Sequence, residues 1–147
     1  HYRDVYLNGG IYNNSTFPYI MELLQNLKEH GAKLCVATSK PEPMAKIVLD
    51  HLKVTPFLDY MAGADLDERH SNKTELIEKG LTKPSHAVMI GDTHFDAHGA
   101  KHANTNFIGV LYGYGTREEM EREGATQLVE TAKDLQSILL PNFSDKL

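Results

Sequence analysis

The chain has 147 residues, of which 41% are hydrophobic and 24% charged, and its net charge is −5. That composition supports one domain with a packed core, and it excludes wholesale disorder and a nucleic-acid binder working through a basic face. No apolar run approaches the about 20 residues that cross a bilayer, so no membrane partner is expected. A single cysteine, Cys35, leaves no intrachain disulfide and no cysteine-based zinc site, and fits a reducing, cytoplasmic setting.

Short apolar runs alternate with amphipathic segments along the chain. Residues 1–8 read as the end of a helix stopped by Gly9-Gly10. Pro18 opens a helix with apolar positions Ile20, Leu23, Leu24 and Leu27, and Gly31 stops it. Residues 33–38 predict a buried strand. A helix over about 42–52 follows, with Met44, Ile47, Val48 and Leu52 at helical spacing. A weaker strand spans 58–62, and Ser71 caps a helix over about 72–79. Residues 86–90 are the clearest strand, followed by a helix over about 94–103 and a strand at 107–111. Thr116 and Glu119 have capping-box spacing and start another helix. A short strand at 127–129, a helix over about 131–140 and a tail at 142–147 complete the chain. The alternation predicts an α/β domain, a Rossmann-like parallel sheet flanked by helices. In such a sheet the site lies beyond the carboxyl ends of the strands.

Three signals fall at those ends. In 88-VMIGDTHFDAHGA-100, an apolar strand delivers Gly91 and Asp92, and Asp96 follows at i+4 on the same face. Two carboxylates make a hard-oxygen site suited to Mg²⁺. Their alternative use is structural, with Asp92 capping the helix and Asp96 complementing its dipole. In 34-LCVATSKP-41, Thr38 and Ser39 precede a helix, where hydroxyls and free N–H groups either bind an anion or cap the helix. Lys73 sits near the start of the helix after the weak strand. A lysine is unfavourable in a first turn, so it is either a solvated surface residue or reaches an anion in the cleft. Anion donors, a charge-neutralising lysine and a carboxylate-held Mg²⁺ are the parts that phosphoryl transfer needs.

These residues resemble the motifs of the haloacid dehalogenase-like hydrolases, in their phosphoglycolate phosphatase-like branch. Thr38-Ser39-Lys40-Pro41 resembles the second, phosphate-binding motif; Lys73 matches the third-motif lysine; and Gly91-Asp92-x-x-x-Asp96 matches the fourth motif, which holds Mg²⁺. Gly99-Ala100 and 108-IGVLYGYG-115 extend the likeness, which runs from about residue 3 to residue 140. It implies a Mg²⁺-dependent phosphatase of a small phosphorylated metabolite acting through an aspartyl-phosphate. In that scheme Thr38, the Ser39 backbone and Lys73 hold the phosphoryl group, while Asp92 and Asp96 serve the metal.

The family's first motif, Asp-x-Asp-x-Thr/Val on the first strand, supplies the nucleophile. The only Asp-x-Asp here is Asp65-Leu66-Asp67, which falls after the second motif. The resemblance therefore implies that residues 1–10 end a helical cap, that residues 11–141 are a partial core, and that the first strand and most of the cap are absent. The 147 residues alone are then expected to be inactive, with a complementing N-terminal segment or a homodimer as partner. A non-catalytic binding domain on the same fold is the alternative. A phospho-accepting receiver, which shares an acidic group, Thr and Lys, is disfavoured because its acidic pair comes first in the chain.

Weaker features have plainer readings. His94, His98 and His102 share one helix face at i, i+4, i+8 and read as surface histidines rather than a metal clip. Cys35 reads as an inert core thiol. Tyr112 and Tyr114 alternate with Gly113 and Gly115 in a turn at the cleft rim, and Glu118, Glu119, Glu121 and Glu123 form a solvated helix face.

Overall fold

Six parallel strands form one sheet, in the order β3-β2-β1-β4-β5-β6, in a computed structural model that describes residues 4–8, 18–64 and 86–141. The strands are β1 (Asp4–Asn8), β2 (Lys33–Pro41), β3 (Tyr60–Ala64), β4 (Ala87–Gly91), β5 (Asn106–Val110) and β6 (Leu128–Val129). The helices are α1 (Ile20–Glu29), α2 (Glu42–His51), α3 (His94–His102), α4 (Arg117–Arg122) and α5 (Ala132–Leu139). The expected α/β, Rossmann-like parallel sheet is thus present. Among the described residues, no helix is long and apolar enough to cross a membrane.

The N-terminal segment departs from its expected form. Asp4–Asn8 is a strand, not the end of a helix, and it pairs in parallel with both β2 and β4. The central position expected to stand empty is filled, by a segment without the first motif. The physical reason is burial on both faces. Val5, Tyr6 and Leu7 are each no more than 2% exposed. Val5 and Leu7 enter the large core, while Tyr6 points to the opposite face. A surface helix has one apolar stripe to bury, whereas a central parallel strand buries every side chain.

The two faces of the sheet differ. The larger core packs Leu23, Leu24 and Leu27 of α1 and Leu135 and Leu139 of α5 onto the aliphatic side chains of β1, β2, β4 and β5. A hydrogen bond from Asn26 Nδ2 to the buried Gln136 Oε1 (2.8 Å) links the two helices. The other face is built from small residues, including Ala37, Ala62 and Ala87, beside Tyr6, Cys35 and Met89. Burial pushes the Cys35 thiol up to about 12, helped by the Asp4 charge, so the thiolate is suppressed and the residue is an inert core thiol. Burial likewise holds the Tyr6 phenol above its ordinary range.

The buried face of α2 differs from the periodicity expected. Ala45 and Leu49 face the core, while Met44 and Ile47 are 54% and 69% exposed. Leu49 reaches the same core as Val54 and Leu34, and that contact rotates Met44 and Ile47 outward. The predicted helix at 72–79 lies outside the described residues.

Asp59 ties α1 to the sheet. Its Oδ2 receives Lys28 Nζ at 2.6 Å and the Leu34 N–H at 2.9 Å. Burial raises its carboxyl, but the Lys28 bond and the Leu34 N–H outweigh that effect and hold it below the usual carboxylate range. A depressed carboxyl contributes stability above the unfolded-state value near about 3.9 and loses it as pH falls through the folded-state value. Because the pair is about one-third exposed, Asp59→Asn should cost roughly 0.2–1 kcal/mol at pH 7. Urea unfolding of both proteins should show this gap at pH 7 and its closure as pH drops below about 4.

Candidate functional site

The carboxyl ends of β2, β1 and β4 lie side by side. Asn8 ends β1 opposite Ala37, and Leu7 lies opposite Ile90, so Thr38 and Asp92 flank the end of β1. Two strand spacings set their backbones about 10 Å apart. Asp4, the one carboxylate on β1, lies at the other end of the strand, about 13 Å away along it.

Asp92 and Asp96 are both fully buried. The N-cap of α3 is Thr93, not Asp92 as the structural alternative has it. Asp96 Oδ2 accepts the N–H groups of Asp92 (3.2 Å) and Thr93 (3.2 Å) and the Thr93 hydroxyl (3.0 Å). The Asp96 carboxylate is therefore engaged with the loop, and it closes the first turn of α3 from below. Asp92 Oδ2 accepts the Tyr114 N–H at 2.9 Å. Hard carboxylate oxygens at a helix start suit Mg²⁺, which takes few protein carboxylates and keeps waters or phosphate oxygens. Among the described residues, no group of three or more His, Cys, Asp or Glu side chains is arranged to hold a metal. The oxygen donors of Asp92 and Asp96 are of the hard type that Mg²⁺ takes.

Thr38 is 6% exposed, and its Oγ1 accepts the Lys40 N–H at 3.1 Å. The helix that follows has Pro41 at its N-cap and no side-chain cap, so neither Thr38 nor Ser39 is spent on capping α2. Lys73, with Asp65 and Asp67, lies outside the described residues.

The loop after β5 completes the acidic site, and sequence reasoning missed this. Besides the Tyr114 contact, Gly115 N–H donates to the Asp92 carbonyl at 2.9 Å. A Cβ on Gly113 would stand 2.2 Å from Asp92 Oδ2, and one on Gly115 would stand 2.2 Å from the Asp92 carbonyl oxygen. On the other side, a Cβ on Gly91 would stand 2.3 Å from Asp96 Cβ. The alternation of glycine and tyrosine at 112–115 was the available signal, since glycine permits such backbone approach. Burial and the Asp92 charge together hold the Tyr112 phenol above its ordinary range.

The histidines of α3 pair with α4. His94 Nδ1 lies 3.3 Å from Glu119 Oε2 and His98 Nδ1 lies 3.1 Å from Glu123 Oε2, so two glutamates of the expected solvated face serve as partners. The predicted capping of α4 is also present, with Glu119 N–H donating to Thr116 Oγ1 at 3.2 Å.

A parallel sheet with buried carboxylates and a hydroxyl at one edge defines a doubly wound α/β domain whose site opens at the strand ends. Residues 3–110 match the family model for haloacid dehalogenase-like hydrolases, and the chain belongs to that family, in its phosphoglycolate phosphatase-like branch. A 5'-nucleotidase of Pseudomonas aeruginosa is 34% identical over 95% of this chain and 65% of its own length. A phosphoglycolate phosphatase of Caulobacter vibrioides is 36% identical over 90% of this chain and 57% of its own. The crystal structure of a protein described as a predicted phosphatase from Clostridium acetobutylicum superposes with a TM-score of 0.83 at 36% identity. That superposition covers 86% of this chain and 61% of the other. The chain thus spans less than two thirds of the length of each of these relatives.

The glycine contacts lead to a stability prediction. Gly113→Ala should push Asp92 out of place and cost about 1–3 kcal/mol through overpacking. Urea unfolding would measure it; an unchanged midpoint would mean that the loop can move away from Asp92 freely.

Proposed function

We propose that the chain carries the phosphate- and Mg²⁺-binding half of a phosphatase acting on a small phosphorylated metabolite. The observation carrying this reading is the buried Asp92–Asp96 pair at the end of β4, set across β1 from Thr38. The relatives named for a nucleotide and for phosphoglycolate support a phosphate monoester as the substrate class.

Thr38, through its hydroxyl, and Ser39, through its backbone N–H, bind phosphoryl oxygens at the start of α2. Lys73 offsets the charge gathered around the phosphoryl group. Asp92 holds the Mg²⁺, which when bound supplies positive charge against phosphate oxygens. Asp96 is a positioning residue: it fixes the Asp92–Thr93 backbone through the three hydrogen bonds it accepts. The reaction of an intact site passes through an aspartyl-phosphate, and its nucleophile is an aspartate at the end of the central strand. The only Asp-x-Asp of the sequence, Asp65-Leu66-Asp67, falls after the second motif rather than before it. In this reading a complementing segment supplies that aspartate. The second reading is a non-catalytic phosphate-binding domain, which the position of Asp65-Leu66-Asp67 after the second motif favours.

The test combines metal binding with turnover. Mg²⁺ titration by calorimetry should show one site in the 147-residue chain. Asp92→Asn should abolish it, and Asp96→Ala should weaken it about 10–100-fold. Phosphate release from p-nitrophenyl phosphate should be absent in the unaltered chain. Release that disappears with Asp92→Asn would move the nucleophile into this chain, with Asp65 and Asp67 as the next candidates. Intact Mg²⁺ binding in the Asp92→Asn protein would overturn the assigned metal site.

A further inference from the structure

The two buried carboxylates draw their hydrogen bonds from different distances along the chain. Asp96 Oδ2 is met by donors within four residues of it, the Asp92 and Thr93 N–H groups and the Thr93 hydroxyl. Asp92 is met from the loop after β5. The Tyr114 N–H, twenty-two residues further along, donates to its Oδ2 at 2.9 Å. The next amide, the Gly115 N–H, donates to the Asp92 carbonyl oxygen, also at 2.9 Å. Two successive amides thus hold one residue at its side chain and at its main chain. Glycine makes the approach possible. A Cβ on Gly115 would stand 2.2 Å from the Asp92 carbonyl oxygen and 2.9 Å from Thr93 Cα, and one on Gly113 would stand 2.2 Å from Asp92 Oδ2. Gly31 and Gly124 are of another kind: each has a positive φ, 86° and 94°, and open space where a Cβ would be, so they serve helix ends.

A carboxylate binds a cation best when a hydrogen bond from a neighbouring group already holds its orientation, since less ordering then remains to be done on binding. We propose that Gly113-Tyr114-Gly115 is a positioning element for the carboxylate that holds Mg²⁺. In this role the Tyr114 N–H orients the Asp92 side chain, the Gly115 N–H holds the Asp92 main chain, and the two glycines let both amides come close. Cation affinity is then set by the loop after β5 as well as by the ligand itself. The inference rests on the metal site proposed above. It carries a reciprocal consequence. A loop that strengthens cation binding is itself held more firmly when the cation is bound, by the same factor. The loop runs directly into Thr116, whose hydroxyl caps α4 by accepting the Glu119 N–H. Its two ends are therefore anchored on a strand and a helix, independently of Asp92.

Calorimetric Mg²⁺ titration of the 147-residue chain, without denaturant, tests the proposal and needs no turnover. Exchanging the Gly113–Tyr114 amide for an ester removes one N–H donor and alters no side chain. It should weaken Mg²⁺ binding about tenfold, and Gly115→Ala should weaken it about 10–100-fold. Gly124→Ala puts a side chain at a positive φ away from the carboxylates. It should lower the urea midpoint and leave Mg²⁺ affinity unaltered, which separates positioning from general loss of stability. Mg²⁺ should also slow amide hydrogen exchange at Tyr114 and Gly115 and leave exchange at Gly124 unchanged. The ester-bearing chain decides the matter if Gly115→Ala does not fold. Undiminished Mg²⁺ affinity in the ester-bearing chain would overturn the positioning role and leave the metal site standing. An equal loss of affinity in Gly124→Ala would overturn it as well, because affinity would then follow stability. Absence of Mg²⁺ binding in the unaltered chain would overturn the metal site itself, and the positioning role with it.

Discussion

The parallel register of β1 against β2 on one side and β4 on the other is the constraint on which the rest depends. Among the described strands, β1 is the one that pairs with both β2 and β4. Asp4, Val5, Tyr6 and Leu7 each face a residue of β2 and a residue of β4, so one strand sets the level of both neighbouring carboxyl ends. Thr38 and Asp92 belong to different βα units, far apart in sequence. They flank a common strand end because a parallel sheet aligns equivalent strand termini. A one-residue slip of β1 would exchange Tyr6 with Val5 and Leu7 and put a phenol into the aliphatic core.

Above that frame, the acidic site is held by close backbone approach as much as by hydrogen bonds. Two buried carboxylates in one loop repel each other and lose hydration, so each needs compensation. Asp96 receives it from two N–H groups and a hydroxyl, and Asp92 from the Tyr114 N–H. Those donors reach the oxygens because Gly91, Gly113 and Gly115 carry no side chain at the contact. The start of α3 adds its dipole in the same place. The result is a rigid anionic floor, the requirement for a cation that demands near-ideal oxygen geometry.

The site is asymmetric in its chemistry. The buried hydroxyl of Thr38 lies on β2 and the buried carboxylate of Asp92 follows β4, with β1 between them. Tyr114 supports the Asp92 carboxylate through its backbone N–H.

The sequence by itself determined the alternation of strands and helices, the helix α1 with its four buried apolar residues, the strand-to-helix turn at Asp92, and the Thr116–Glu119 cap. Each depends on neighbours within a few positions, where periodicity and capping chemistry act. The motif spacing likewise marked Thr38, Ser39, Asp92 and Asp96. Three features only the tertiary structure decided. Residues 4–8 carry too few side chains to separate a helix end from a strand, and their form follows from the apolar slot between β2 and β4. The exposed face of α2 follows from where Leu49 meets the core rather than from spacing alone. The loop at 111–115 reaches Asp92 across twenty-two residues of chain; Gly113 and Gly115 signal that something approaches closely there, but only the fold decides what it is.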